Sequence, residues 1–325
     1  MKVSVLIPTF NSAATIQATL DSVLRQTMPP DEILVLDDGS TDSTCSLLNS
    51  YKAHITVLQQ QNKGVANARN ILCALARGSL VAFLDHDDLW HPRYLEIQWK
   101  HFVDYPHAVG FFAGHVNFGG YERYEWKAGS PDLVPDPEVV DPLDFFKRIH
   151  LVSGFFGSAS FLCVPRRVLA KLGDRPFHER LSGVDDCYLY SNLALLGPVV
   201  YAPDPLVAYR IIKGAQSVDK VKACRLLVDM FHILEHEGYE TMAGPTLSRQ
   251  FRKSFAAGRR SYAKLLMGVG SKSEARAQLK YSVGNSVHVI SMAKSLALLL
   301  LTCMPSALQP KWPASQRQWI DPVSQ

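Results

Sequence analysis

The sequence predicts an α/β fold: a mainly parallel sheet with flanking helices, followed by a C-terminal helical region. Three observations carry this. Short β-branched apolar runs alternate with stretches of helical spacing over the first 90 residues, polar and acidic clusters follow the runs directly, and from about Val218 the texture becomes continuously helical. At 325 residues, with 47% hydrophobic and 20% charged side chains, the chain is long enough for about two domains and too apolar for a disordered or collagen-like protein.

The elements follow in order. Val3–Ile7 is a strand ended by Pro8 and Asn11, and Ile16, Leu20, Val23 and Leu24 mark a helix over Thr15–Gln26. Ile33–Leu36 is a second strand, running into Asp37-Asp38-Gly39-Ser40. Asp42 or Ser43 can open a second helix with Leu47 and Leu48 inward. Ile55–Leu58 is a third strand, Val65–Ala76 a third helix, and Leu80–Leu84 a fourth strand cut off by Asp85-His86-Asp87-Asp88. Strands apolar on both faces belong in a parallel sheet, and ligands bind beyond the carboxyl ends of such strands. Residues 117–145, rich in Gly, Pro, Tyr and acidic side chains, read as a loop or lid. Helices are expected over Lys222–His236, Leu247–Met267 and Lys272–Tyr281. The domain expectation is therefore 1–215 for the α/β body and 216–325 for the helical region.

Charge divides along the same line. Residues 245–325 hold 12 Lys/Arg against 2 Asp/Glu, whereas the remainder is net acidic. Arg249, Arg252, Lys253, Arg259, Arg260 and Lys264 could meet an anionic membrane surface, or simply solvate helical faces. Val287–Met304 is strongly apolar, but its unbroken part, Leu296–Leu301, is too short to span a bilayer. It reads as a core helix or an interfacial one. No nucleic-acid motif or interleaved aromatics accompany the cations, so nucleic acid is not an expected partner. The six cysteines are scattered without a C-x-x-C pair, which fits reduced thiols in a cytoplasmic setting. The first apolar run is too short for a signal peptide, so the expected location is cytoplasmic, with peripheral contact at the inner face of the membrane.

Three clusters carry chemistry. Asp85, Asp87 and Asp88 repel one another unless a cation sits among them, and hard carboxylate oxygens suit Mg²⁺ or Mn²⁺ shared with phosphate. In Leu36-Asp37-Asp38-Gly39-Ser40-Thr41-Asp42, helix capping accounts for Ser40, Thr41 and Asp42 but not for Asp37 and Asp38. In Asn62-Lys63-Gly64-Val65-Ala66-Asn67-Ala68-Arg69-Asn70, Arg69 lies near a helix start, where acids are usual, which suggests an anionic or carbonyl-bearing ligand nearby. A nucleotidyltransferase would want a Gly-rich basic loop after the first strand, and Pro8–Ala14 has none.

The order VLIPTFN, VLDDGSTD, NKGVANARN, FLDHDDLW resembles the inverting nucleotide-sugar glycosyltransferases of family two, with the GT-A fold, over roughly residues 2–211. The resemblance implies a nucleoside-diphosphate sugar as donor, most commonly a UDP-sugar, and a glycan or lipid-linked acceptor of cell-surface polysaccharide synthesis. It places Pro8, Thr9 and Asn11 along the nucleotide pocket, Asp38 on the base with Arg69 in support, and Asp85, Asp87 and Asp88 at the D-x-D position. Asp87 and Asp88 would then hold the metal. It also assigns the catalytic base to Asp186 in Leu181-Ser182-Gly183-Val184-Asp185-Asp186, with Asp185 in place of the more frequent Glu. Capping of the helix Cys187–Leu196 is the plainer role for this pair.

Two positions depart from the family pattern. Ile212 stands where a His usually reaches the metal or diphosphate, so Arg210, Lys213 or Gln216 is left as a substitute. His86 sits between the aspartates, and alternation points it away from them toward a neighbouring loop. The lost His is also the one support for an alternative, a catalytically inactive GT-A scaffold that binds nucleotide sugar or a partner. Gly154–Ser160 could border the acceptor site or merely allow close packing. Trp90 and Trp99 read as core residues, and Trp126 as a loop residue able to stack on a sugar ring.

Overall fold

A computed structural model describes residues 2–120, 124–126, 136–151, 157–212, 220–284 and 289–303. Two compact units divide the chain, one formed by Met1–Phe145 and Phe156–Ala215, the other by Phe146–Phe155 and Gln216–Gln325.

In the first unit, β1 (Val3–Thr9) is buried along its whole length. It pairs in parallel with β2 (Glu32–Asp37) and β4 (Leu80–Phe83), and β2 pairs in parallel with β3 (Thr56–Gln59). The crossovers are α1 (Ile16–Leu24), α2 (Thr44–Ser50) and α3 (Val65–Leu75). Aliphatic residues on both faces of β1 and β2 require helices on both sides, and α1 supplies Ile16, Leu20 and Val23. Thr9 is level with Asp37, so the loops after β1 and β2 leave the sheet side by side.

Beyond β4 the sheet becomes mixed. After β5 (Leu89–Trp90), α4 (Tyr94–Asp104), β6 (Gly110–Gly119), β7 (Glu138–Val140) and α5 (Pro142–Leu151) come β8 (Leu162–Pro165), α6 (Arg166–Leu169), α7 (Asp185–Leu196) and β9 (Val199–Ile211). The order is β3-β2-β1-β4-β8-β6-β9-β5, with β7 also on β9. Strand β8 is antiparallel to both β4 and β6, whereas β9 runs parallel to β6. Six of the nine described strands thus share one direction, as the sequence predicts. The expected loop over 117–145 is corrected in part: β6 continues to Gly119, and β7 and the start of α5 lie within the stretch. Residues 121–123 and 127–135 lie outside the described residues. Trp90 is fully buried, stacked on Tyr94 at 4.2 Å, and donates from Nε1 to the Ser160 carbonyl at 3.0 Å. Trp99 is half-buried against Phe102.

The second unit is helical: α8 (Lys220–His236), α9 (Tyr239–Met242), α10 (Gly244–Gly268), α11 (Lys272–Gly284) and α12 (Val289–Cys303). Its core gathers Phe231, Tyr239, Phe251 and Phe255, with the rings of Phe231 and Phe255 stacked at 5.1 Å. Helix α12 is seated through polar groups. Ser295 Oγ lies 2.8 Å from Ser282 Oγ, Arg260 donates to Ser291 Oγ at 2.7 Å, and Arg276 donates to the Thr302 carbonyl at 2.8 Å. Its other side is apolar and exposed, with Ile290 at 63% and Leu300 at 69%. Among the described residues, no helix is long and apolar enough to cross a membrane. The expected basic face of α10 is narrower than the sequence suggests. Arg259 is buried, donating to Gln278 Oε1 at 2.7 Å over the Tyr281 ring, and Arg260 is half-buried; Arg249, Arg252, Lys253 and Lys264 remain exposed.

Candidate active site

The loop after β4 is tied from several sides. The Leu84 amide donates to the Leu6 carbonyl at 3.0 Å, and the Asp85 amide donates to Ser160 Oγ at 2.9 Å. Thr19 Oγ1 lies 2.9 Å from the His86 carbonyl and 3.0 Å from that of Asp88. The three aspartates then diverge. Asp85 pairs with Arg69 and accepts from Ser158 Oγ at 3.1 Å. Burial alone would raise its carboxyl, but Arg69 holds it below the ordinary value. Asp87 is half-buried; burial, with Asp85 nearby, pushes its carboxyl up. Asp88 is fully buried and accepts from the Arg210 amide at 2.9 Å, with Ser158 Oγ at 3.5 Å. It is therefore turned into the fold rather than toward solvent, and burial together with Asp87 and Asp85 keeps its carboxyl well above the usual range.

Arg210, expected as one substitute for the missing His, is committed elsewhere. Its Nε donates to the Asp87 carbonyl at 2.7 Å and its Nη1 to that of Gly120 at 2.9 Å, with the guanidinium 4.4 Å from the Phe118 ring centroid. Arg210 thus braces the acidic loop. The other two candidates, Lys213 and Gln216, lie outside the described residues. The His86 ring makes no loop hydrogen bond through Nδ1, which is buried without a partner among the described residues. Trp126 packs edge-on against His91 at 5.0 Å and Tyr124 at 4.9 Å.

The loops after β1 and β2 interlock. Pro8 is buried within β1 beside Leu36, and the buried Thr9 hydroxyl bonds Ser12 Oγ. Asn11 adopts φ 47°, donates from its amide to Ser40 Oγ at 2.9 Å and accepts the Thr41 amide at 2.8 Å. Asp38 is buried and accepts Lys63 N at 2.8 Å, Gln60 Nε2 at 2.7 Å and Gly64 N at 2.8 Å. A carboxylate offers about four acceptor positions, and these three donors fill all but one. Gly39 makes the turn possible: at φ +82° a Cβ would stand 2.9 Å from the Asn62 amide nitrogen.

Arg69 is placed differently from the sequence expectation. Rather than facing an external ligand, its buried guanidinium spans two carboxylates, Nη2 on Asp85 and Nη1 on Asp185, with the Phe177 ring centroid at 5.4 Å. Burial alone would depress the guanidinium, but Asp85 and Asp185 keep it protonated. Asp185 opens α7, is buried, and also accepts the Gly183 amide at 3.1 Å. Asp186 is half-buried and accepts the Cys187 amide at 2.7 Å. Burial and the Asp185 charge push its carboxyl up to about 7, against a smaller opposing pull from Arg69. Residues a hundred positions apart in sequence are thereby gathered into one acidic cluster with the Arg69 guanidinium through it. Ser158, Ser160 and Phe177 belong to it too. The only sequence signal for the serines is a run of small residues before a strand, and for Phe177 there is none.

These donors fit a divalent cation of the Mg²⁺ or Mn²⁺ type. Asp87 is half-buried beside Asp85 and Asp88, and burial with neighbouring carboxylates pushes both Asp87 and Asp88 up, a hard oxygen set that a cation would relieve. Among the described residues no group of three or more His, Cys, Asp or Glu is placed to hold a metal ion by itself. Mg²⁺ is commonly held by only one or two carboxylates plus substrate phosphates.

Polar and acidic loops at the carboxyl ends of adjacent parallel strands stand where open α/β sheets bind their ligands. Residues 4–160 match the sequence model of glycosyl transferase family 2. The chain is 42% identical over 90 residues to the Escherichia coli UDP-Glc:alpha-D-GlcNAc-diphosphoundecaprenol beta-1,3-glucosyltransferase WfaP, covering 27% of this chain and 36% of that one. To glycosyltransferase GlyA of Streptococcus pneumoniae it is 27% identical over 220 residues, 66% of this chain and 31% of the relative. The chain thus spans about a third of the length of these curated relatives. Among solved structures, S. aureus TarS 1-349 in complex with UDP-GlcNAc aligns with a TM-score of 0.64 at 18% identity, over 98% of this chain and 92% of that one. The mannosyltransferase PcManGT from Pyrobaculum calidifontis, in complex with GDP-Man and Mn²⁺, aligns at 0.54 and 19% identity, over 93% and 87%. At such identities the likeness is one of fold.

Proposed function

We propose that the chain transfers a sugar from a nucleoside-diphosphate donor, a UDP-sugar by preference, to an acceptor hydroxyl with inversion at the anomeric carbon. The observation that carries this is Asp186: a half-buried carboxylate poised near neutral pH, in one cluster with the acidic loop after β4. The nucleotide lies across the carboxyl ends of β1, β2 and β4, with Pro8, Thr9, Asn11 and the remaining acceptor position of Asp38 toward the base. Asp85 stands toward the ribose. Asp87 would hold Mg²⁺ or Mn²⁺, with Asp88 fixing the loop behind it. The bound cation supplies charge neutralisation for the departing diphosphate. Asp186 accepts the acceptor hydroxyl's proton as that oxygen bonds to the anomeric carbon, while the bond to the diphosphate breaks with its electron pair.

The UDP preference is supported by the names of WfaP and WfgD, both UDP-Glc transferases of Escherichia coli, and by the UDP-GlcNAc complex of TarS. The same two names specify a diphosphoundecaprenol-linked acceptor, which supports a lipid-linked acceptor here in bacterial surface-glycan synthesis. Exposed Arg249, Arg252, Lys253 and Lys264 and the apolar side of α12 suit an anionic membrane surface. The function is tested by incubating the chain with UDP-Glc, UDP-GlcNAc or GDP-Man, Mn²⁺ and a panel of lipid-linked acceptors. An inverted anomeric configuration in the product is expected, and a retained one overturns the mechanism. Membrane association is tested by co-sedimentation, with binding expected to rise with the acidic lipid content of the vesicles. Indifference to that content removes the membrane partner.

A further inference from the structure

The NKGVANARN segment does more than open a helix. Three of its side chains reach the same distant stretch, residues 177–185, which leads into α7. Asn70 forms a two-way clasp with Phe177, donating from Nδ2 to its carbonyl at 2.8 Å and accepting its amide on Oδ1 at 3.0 Å. Asn67 Nδ2 donates to Glu179 Oε1 at 3.1 Å. Between them Arg69 holds Asp85 with one nitrogen and Asp185 with another, and its side chain is only 6% exposed.

An arginine fork fixes both direction and distance, which a point charge cannot do. One end of this fork is the loop of Asp87, and the other is the first residue of α7, directly before Asp186. The bridge therefore sets where the base stands relative to the bound donor. We infer that Arg69 is a positioning residue that locks the donor-side loop to the helix carrying the base, so that both halves of the site hold one geometry. This rests on the reading of Asp186 as the base.

The groups facing Asp186 are Asp185 and Cys187 beside it, Arg69, Asp85, Tyr190 and Tyr209. Of these, Arg69 is the cation and favours the ionised base, whereas Asp185 opposes it. Two conservative variants should consequently move the acid limb of the kcat–pH profile in opposite directions. In Arg69→Lys the fork is lost and the charge retreats, so the limb moves to higher pH. In Asp185→Asn a neighbouring negative charge is removed, so it moves to lower pH. A merely structural role would not produce opposed shifts.

The test measures kcat across pH for both variants, with UDP affinity in Mn²⁺ determined separately by titration calorimetry. Expected in each is a kcat loss on the order of 100-fold, as for a small misplacement of a reacting group, with UDP affinity within about threefold. An unmoved acid limb with full kcat overturns the inference. So does a loss confined to UDP affinity, which would make Arg69 a donor ligand. Should Arg69→Lys fail to fold, Arg69→Met/Asp185→Asn removes the arginine with the more deeply buried of its two carboxylates, leaving Asp85, whose side chain is 26% exposed, to solvent. Full kcat in that double variant also overturns the inference. Asp186→Asn serves as the control: full kcat there sinks the base itself, whereas an inactive Asp186→Asn beside a fully active Arg69→Lys sinks only the positioning role.

Discussion

Replacing Asp186 by Asn removes a proton acceptor while keeping the shape of the site. The amide oxygen of Asn can still accept the Cys187 amide that Asp186 Oδ1 takes at 2.7 Å, so the start of α7 is preserved. General-base catalysis contributes about 10²- to 10⁴-fold, and kcat should fall by that factor. The wild-type pH profile gives a second handle. Only the ionised carboxylate can accept a proton, and Asp186 is pushed up to about 7, so the rate should rise through that pH and then level off. One pH unit below the midpoint only about a tenth of the sites are ionised, so the rate should be about tenfold below its plateau. Release of UDP, followed in a coupled assay between pH 5.5 and 8.5, measures both effects. A profile flat across this range, together with an Asp186→Asn variant within threefold of wild type, would rule out Asp186 as the base.

Three further outcomes follow from the same geometry. Chelation with EDTA should abolish transfer, added Mn²⁺ or Mg²⁺ should restore it, and Asp87→Asn should weaken metal-dependent UDP binding measured by calorimetry; full activity in EDTA would remove the cation. Asp88→Ala leaves the Arg210 amide without its buried acceptor, and chemical denaturation should show a loss of about 1–3 kcal/mol. Gly39→Ala meets both a positive φ and a 2.9 Å approach to Asn62 N. It should destabilise by more than about 1 kcal/mol in the same assay, and an unchanged midpoint would contradict the turn geometry.

The parallel half of the sheet is legible in the sequence because each of its crossovers is local. Val3–Ile7, Ile33–Leu36 and Leu80–Leu84 are each a short apolar run followed at once by its polar loop, and each becomes a strand. The mixed half is not legible in the same way. Strand β8 enters between β4 and β6 from residues far along the chain, and the bulge at Gly114 resets the β6–β9 register; neither leaves a local pattern. Within the acidic loop, sequence marks three aspartates as equivalents, but only folding separates them. Asp85 goes to a buried arginine, Asp88 goes inward to the Arg210 amide, and Asp87 stays half-exposed. Arg69 carries the same lesson. A cation near a helix start does announce a nearby anion, but the anions are two carboxylates of the chain itself, one of them 116 residues away. Arg259 shows the converse, since a basic stripe by spacing includes a residue buried among His232, Gln278 and Tyr281.

In the proposed complex a nucleoside diphosphate seats at the carboxyl ends of β1, β2 and β4 with Asp87 at its phosphates. A crystal structure of the chain grown with UDP and Mn²⁺ measures this directly. Uracil is expected beside Asp38, with anomalous scattering from manganese against the Asp87 carboxylate. Nucleotide bound away from these strand ends, with the Asp87 loop bare, would contradict that placement.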